Sequence, residues 1–346
     1  VGAHLAGIAE VVIDKSLGLA RQALTRRHGQ PTCRRAGGTF QPGFVAIGYG
    51  KLGGRELGYA SDLDMIFLYE GCDVQGRTDA ASRSDPQGRG EVEQRREQLP
   101  GRAGAADEGV TDGARAVTNE EFFARLGQRL IHFLTTRTSG GILYEVDMRL
   151  RPSGKSGPLV AALAAFRAYQ QTHAWTWEHQ ALVRARAVAG EPRLCAAFEE
   201  VRREILCRPR DPERLRTEVR EMRRKMAATH AADAAGFNVK HDRGGIVDIE
   251  FMVQYAVLRW AHAHPALARH TDNIGILEAL VAEGLLDEGK VRTLIEAYRR
   301  YLSAEHRLKL MERGSTVDRA TLDGLPDEVV RIWGEIFEKA KANRQD

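Results

Sequence analysis

Asp62 and Asp64 stand two residues apart at the head of an apolar run, Met65 to Tyr69, directly after a glycine-rich stretch that begins at Gly48, GYGKLGGRELGYAS. Residues two apart on a strand point to the same face. The spacing therefore predicts two carboxylates side by side where a strand enters a core. Hard oxygen ligands of this kind suit a divalent cation, and backbone N–H groups in a glycine-rich turn suit phosphate. Gly53 and Gly54 would let the backbone approach phosphate with no Cβ in the way, with Lys51 and Ser61 as further phosphate contacts. Downstream, Ile142 to Arg151 alternates apolar with polar residues, which predicts a strand carrying Glu145, Asp147, Arg149 and Arg151 on its polar face. Laid beside the first strand, it would bring Asp147 to Asp62 and Asp64. Asp62 and Asp64 could then bridge a pair of divalent ions, with Asp147 completing one ion's shell, and two such ions clamp the attacking and leaving oxygens of an in-line phosphoryl displacement. Arg149 and Arg151 would then hold a triphosphate bidentately. The chemistry expected is nucleotidyl transfer.

Two other phosphate-binding patterns fail. Gly48, Gly50 and Gly53 match GxGxxG after a strand, with Glu70 about 20 residues on. The helix of such a dinucleotide fold would have to fit between Gly53 and Asp62, with Gly58 inside it, and its parallel strand would be continuously apolar, leaving no room for the aspartates. A Walker loop needs Ser or Thr after its lysine, whereas Leu52 follows Lys51.

The elements that must position these residues read as an α+β domain followed by a helical one. Residues 3–28 carry Leu5, Ile8, Val12 and Leu19 at helical spacing with no proline, and Phe44 to Gly48 reads as a short buried strand ahead of Asp62 to Tyr69. Residues 71–118 are dominated by Gly, Arg, Asp, Glu, Gln and Ser, which predicts a flexible surface insertion. Asn119 is the expected N-cap of a helix over 119–136, with Phe122, Phe123, Leu126, Leu130 and Phe133 as its buried stripe. From about Leu163 only helical patterns are expected: around Trp175 and Trp177, Val201 to Met226, Asp248 to Ala261, and Val291 to Met311. We place the boundary near Gly190–Pro192, giving a catalytic domain over 1–190 and a helical bundle over 191–346.

Bulk properties exclude several classes. The 346 residues carry a net charge of only +4, which gives no signature of nucleic-acid binding. No apolar run is long enough for a membrane span. Cys33, Cys72, Cys195 and Cys207 lie far apart without a CxxC and read as reduced cytosolic thiols. His262, His264 and His270 are too dispersed around Pro265 for a tetrahedral site, and His241-Asp242 lacks a histidine-rich partner. Lys240 to Gly245, followed by Asp248 and Glu250, would either face the cleft near an anion or simply start a helix. Trp175, Trp177 and His179 are expected to pack between domains, and the Arg/Glu run over 199–225 to form a solvated helix with i,i+4 pairs.

Four long blocks, GYGKLGGRELGYASDLD, YEVDMRLRPSGKSGPL, WTWEHQALVRARAVAG and GGIVDIEFMVQY, resemble the glutamine synthetase adenylyltransferase family, whose catalytic domains are DNA polymerase β-like nucleotidyltransferases. The resemblance covers nearly the whole chain outside 71–108. It implies a small mixed sheet flanked by helices, then a helical bundle, with Asp62, Asp64 and Asp147 as metal ligands and Gly53 and Gly54 at the nucleotide phosphates. It implies Mg²⁺ as cofactor and ATP as substrate, transfer of AMP to a tyrosine of glutamine synthetase, Asp147 as proton acceptor, the PII signal protein as regulator, and a cytoplasmic setting. The blocks around Asp147 and Trp175 look more like the adenylylating C-terminal module than the deadenylylating one, so the chain is expected to be a fragment of a two-module protein. The rivals are an RNA nucleotidyltransferase on the same scaffold and an inactive nucleotide-sensing module.

Overall fold

The computed structural model describes residues 1–35, 38–72, 109–229 and 236–338. In chain order the elements are α1 (Gly2–His28), β1 (Cys33–Arg35), β2 (Gly38–Phe40), β3 (Phe44–Gly48), the single turn α2 (Gly50–Gly53), β4 (Leu63–Tyr69), α3 (Asn119–Thr135), β5 (Val146–Asp147), β6 (Val160–Ala162), α4 (Leu163–Thr172), α5 (Thr176–Val183), β7 (Arg186–Gly190), α6 (Pro192–Leu206), α7 (Pro212–Ala228), β8 (Phe237–Asn238), α8 (Ile246–Trp260), α9 (Asn273–Ala282), α10 (Glu288–Leu310), β9 (Thr316–Val317) and α11 (Leu325–Phe337). The architecture is the expected α+β sheet followed by helices.

A mixed sheet runs β5-β4-β3-β7, with β6 also on β4. Strands β3 and β4 are antiparallel, with Phe44 opposite Tyr69 and Gly48 opposite Met65. Both β5 and β6 run parallel to β4. Because successive side chains alternate between faces, Phe44, Ala46, Met65 and Phe67 join one core with α1 and α3, and Val45, Ile47, Ile66 and Leu68 join another with the later helices. The sheet is thus covered on both sides, and β3 is buried at every position. Buried alanines 6, 9 and 20 let α1 pack close against α3 and β7.

The helices start where local chemistry favours them. Proline opens α6 and α7, and the Asp211 carboxylate caps α7 by accepting from Arg214 N–H at 2.7 Å. Asp272 and Asp287 cap α9 and α10 in the same way. Helix α8 is buried on nearly every face and forms the axis of the helical part.

Several sequence expectations need correction. The buried stripe of α1 is Ala6, Ala9, Ile13, Leu17, Ala20 and Leu24, whereas Ile8 and Leu19 are exposed. Thr118, not Asn119, caps α3 through Glu121 N–H, and the buried Asn119 amide instead donates to the Thr32 carbonyl. The expected strand Ile142 to Arg151 shrinks to Val146–Asp147, with Ile142 and Leu143 exposed. β7 falls within the stretch expected to be wholly helical, and β6, just ahead of Leu163, is a strand the sequence pattern did not suggest. The run over 199–225 is broken at Pro209 and Pro212 into α6 and α7. Cys33 and Cys72, expected as separate thiols, are joined in a disulfide with Cα atoms 5.1 Å apart, because β1 and the end of β4 meet. Most of the expected insertion lies outside the described residues. Its last ten positions are held against the end of α1, with Thr111 buried and Gly113 N–H donating to the His28 carbonyl. No helix among the described residues is long and apolar enough to cross a membrane.

Candidate active site

The link between β3 and β4 builds the site. Tyr49 N–H donates to the Asp64 carbonyl at 2.9 Å, closing the path from β3 through the glycine turn back to the start of β4. Gly50 has φ +52°, a left-handed conformation, and a Cβ there would lie 2.7 Å from Asp64 Oδ2. Only glycine lets the turn take that shape with the carboxylate pressed against it. Parallel pairing of β5 with β4 sets Val146 beside Leu63 and Asp147 beside Asp64. Leu63 N–H donates to the Glu145 carbonyl at 2.9 Å, fixing that register. As a result, ligand oxygens of Asp62, Asp64 and Asp147 lie within 4.8 Å of one another. No other group of three potential metal-ligand residues of this kind occurs among the described residues.

The three acids differ in surroundings. Asp62 is exposed and Asp64 and Asp147 are half-buried. Burial, followed by the like charges of Asp62 and Asp147, pushes the Asp64 carboxyl up to about 6. Burial also works on Asp147, but its contacts with Arg149 outweigh it and hold the carboxyl below its ordinary value. Those contacts are Arg149 N–H to Oδ1 at 2.8 Å and Arg149 Nε to Oδ2 at 2.6 Å. A convergent set of three carboxylates, one of them held up by burial and by its neighbours' charge, fits a hard divalent cation.

Beside the acids lies a cleft of about 390 Å³. Gly50, Lys51, Ser61, Asp62 and Asp64 form its sheet side, and Lys240, Glu250, Gln254, Glu305 and His306 come from the helical side. Lys51 reaches across it, and its Nζ meets both Glu305 oxygens at 2.8 and 2.9 Å. Ser61 Oγ accepts from Gly58 N–H at 3.0 Å, holding the loop that leads to Asp62. Arg149 stands at the carboxylates with its side chain 71% exposed. Arg151 turns away and donates to the carbonyls of Met148, Lys155 and Gly157, closing the loop after β5. Gly53 and Gly54 are buried behind the turn, where added Cβ atoms would come within 1.9 Å of the Arg184 carbonyl oxygen and 2.4 Å of Arg184 Nη2 respectively.

That arginine anchors a network sequence reading did not single out. Arg184 is paired with Glu56, two residues beyond Gly54, and with Glu250 of α8. Tyr298 of α10 donates its hydroxyl to Glu56 at 2.6 Å and accepts from Asn273 Nδ2 at 2.7 Å. Burial raises the Glu56 carboxyl despite the arginine. The signal lay in the sequence only as isolated charges, Glu56 and Arg184, 128 residues apart.

The other candidates resolve as structural. Asp248 accepts from Gly244 N–H at 2.6 Å and pairs with Arg223 in the interior. Lys240, from the same segment, does face the cleft and acts on Asp64 through its charge. His264 pairs with Glu283 at 2.7 Å, and His262, His264 and His270 form no metal-ligand group among the described residues. Trp175 and Trp177, expected to pack between domains, are exposed, and the Trp175 N–H is held at the start of α5 by the Glu178 carboxylate.

Residues 1–87 and 104–201 match the family model described as glutamate-ammonia ligase adenylyltransferase, and residues 214–342 match that of GlnD PII-uridylyltransferase. The chain is 48% identical over 343 residues to a bifunctional glutamine synthetase adenylyltransferase/adenylyl-removing enzyme of Thioalkalivibrio sulfidiphilus, covering 99% of this chain and 32% of that protein. The like-named protein of Pseudomonas aeruginosa is 47% identical over 350 residues, 97% of this chain and 32% of its own length. That of Nitrosococcus oceani is 45% identical over 343 residues, 99% of this chain and 32% of its own. The chain therefore spans about a third of the length of the curated relatives it matches.

Proposed function

This chain belongs to the glutamate-ammonia ligase adenylyltransferase family, and we propose that it transfers AMP from ATP to a tyrosine of glutamine synthetase with release of pyrophosphate. The observation that carries the reading is the meeting of Asp62, Asp64 and Asp147, through the Asp64–Asp147 register, at one end of a cleft. Those three residues would hold Mg²⁺. When bound, the ion would screen the triphosphate and favour ionisation of the tyrosine hydroxyl, ordinarily near pKa 10.

The chain's own residues supply the rest. Asp147 accepts the phenolic proton as the tyrosine oxygen bonds to the α-phosphorus and the bond to the β-phosphate oxygen breaks, with the electron pair leaving on pyrophosphate. Lys51, Ser61 and Lys240 border the cleft and would contact the triphosphate, and Arg149 would swing from Asp147 to the same charge. Gly53 and Gly54 serve phosphate binding by keeping the turn tight on Arg184. Arg151 contributes by holding the loop behind Arg149.

We divide the chain into a catalytic domain over 1–190 and a helical domain over 191–346 that presents glutamine synthetase to the cleft; the last strand of the sheet ends at Gly190 and α6 starts at Pro192. We assign the adenylyl-removing activity named for the relatives to another part of their length. Control by the PII signal protein and a cytoplasmic setting complete the proposal, the second because the reaction draws on ATP. The test is to incubate the chain with Mg²⁺, ATP labelled at the α-phosphate, and glutamine synthetase. A mass increase of one AMP on a tyrosine peptide, lost in Asp62→Asn and Asp64→Asn, is the expected result. Label on added RNA alone would favour the RNA-directed rival, and absence of Mg²⁺-dependent pyrophosphate release would favour an inactive module.

A further inference from the structure

The cleft extends beyond what the carboxylates use. Helix α8 lines it with Ile246, Glu250 and Gln254, one residue every four, on a single helical face. Lys240, six residues ahead of Ile246, lines the same cleft as Asp62 and Asp64. Glu250 is occupied by Arg184. Gln254 lies eight residues along from Ile246, roughly 12 Å at the rise of an α-helix. Its Oε1 accepts from Gln180 Nε2 at 3.1 Å. Gln180 is only 3% exposed, and its own Oε1 has no hydrogen-bond partner. A buried carbonyl oxygen left without a donor is a cost that a ligand can remove. The apolar lining of the cleft comes from Leu150, Ala181 and Ile246, with Ala181 adjacent to Gln180 in sequence.

We propose that Gln254, oriented by Gln180, reads the nucleobase of the bound nucleotide and sets a preference for adenine over guanine. This rests on the reading above, in which the α-phosphate sits at the carboxylates. A primary amide offers a donor and an acceptor together. Adenine presents the matching pair, an exocyclic N–H₂ donor beside a ring-nitrogen acceptor, and glutamine is a bidentate partner for it. On the edge that carries N1, guanine places an acceptor oxygen where adenine has its amine and an N–H where adenine has its ring acceptor, so both hydrogen bonds become repulsions while Gln180 Nε2 holds the amide in that orientation. Leu150, Ala181 and Ile246 supply apolar surface for a flat ring, and the amide lines the same cleft as Asp62 and Asp64.

The test is equilibrium binding of MgATP and of MgGTP to the full chain and to Gln254→Glu and Gln254→Ala. The wild-type chain is expected to favour ATP. Gln254→Glu keeps the size of the side chain but replaces the donor with an acceptor, which suits the N–H groups of guanine. It should cut the ATP-to-GTP affinity ratio by about tenfold or more, and Gln254→Ala should cut it by less. Because both ligands are measured on the same sample, any unfolded fraction cancels in the ratio. A ratio within twofold of wild type in Gln254→Glu overturns the assignment, as does failure of the wild-type chain to bind either nucleotide. If the wild-type chain adenylylates glutamine synthetase while the ratio is unmoved in Gln254→Glu, the base subsite falls and the function stands. If nucleotides bind with the expected ratios but no tyrosine is modified, the subsite stands and the function falls.

Discussion

Asp64 should make Mg²⁺ binding steeply dependent on pH in a range where an ordinary aspartate would not. Its carboxyl is pushed up to about 6, by burial first and by Asp62 and Asp147 next. At pH 7.5 the group is almost fully ionised, and at pH 5 only about one molecule in ten carries the charge. A cation that needs Asp64 ionised must displace that proton, so its apparent affinity should fall about tenfold between pH 7 and pH 5, or about 1.4 kcal/mol. Asp147, held low by Arg149, adds nothing in this window. Without Mg²⁺ the sign for stability is the opposite. Folded Asp64 holds its proton more tightly than the unfolded chain does, so its contribution is present below about pH 4 and is lost as pH rises through about 6. Calorimetric titration of Mg²⁺ at pH 7.5, 6 and 5 reads the first effect directly. Asp62→Asn removes one of the two repelling charges and should move the midpoint below 6 while weakening binding at every pH. An affinity equal at pH 7.5 and pH 5, or a midpoint that rises in Asp62→Asn, would refute the electrostatic account of the triad.

Three further outcomes are expected. Gly53→Ala would place a Cβ 1.9 Å from the Arg184 carbonyl; a cost of about 1–3 kcal/mol in urea unfolding, with loss of nucleotide binding, is expected from overpacking at the turn. Tyr298→Phe removes the hydroxyl shared by Glu56 and Asn273 and should destabilise by about 1–3 kcal/mol, which a denaturation midpoint equal to wild type would contradict. Burial lowers the His179 imidazole to about 4, so the folded state refuses a proton that the unfolded chain accepts below about 6.5. Stability should be lost as pH falls through that window, by up to about 1.4 kcal/mol per unit; the difference between wild type and His179→Gln should follow that slope and stay flat above pH 7.

Much of this architecture was legible because pattern and packing agree. The apolar run after Asp64 and the stripe Phe122, Phe123, Leu126 and Leu130 each face a core that requires them, whereas of the alternation around Asp147 only Tyr144, Val146 and Met148 reach the core that the stripe faces. The three acids could be matched from sequence because a strand's two-residue period leaves few ways to bring Asp147 to Asp64. What could not be read depended on partners far along the chain. Strand β7 has a single strong strand former, Val188, among Arg, Ala and Gly, and it forms because β3 offers it an edge. The exposed face of α1 is as apolar as parts of its buried face, since small alanines rather than leucines fit against α3. Gly53 and Gly54 were expected to admit phosphate, and the group packed against both is Arg184, which sequence alone could not name. Lys51 likewise announced a cation near the turn without revealing Glu305 across the cleft.

The ion cluster around Arg184 has a mechanical consequence. Glu56 follows the glycine turn, Glu250 belongs to α8, and Tyr298 belongs to α10, so one guanidinium and its partners rivet three separately encoded segments into a single block. Leverage applied to the outer end of α10 is therefore delivered to the loop that shapes Gly50 and Lys51. A perturbation at those helices would not have to touch the acids to act on the turn beside them.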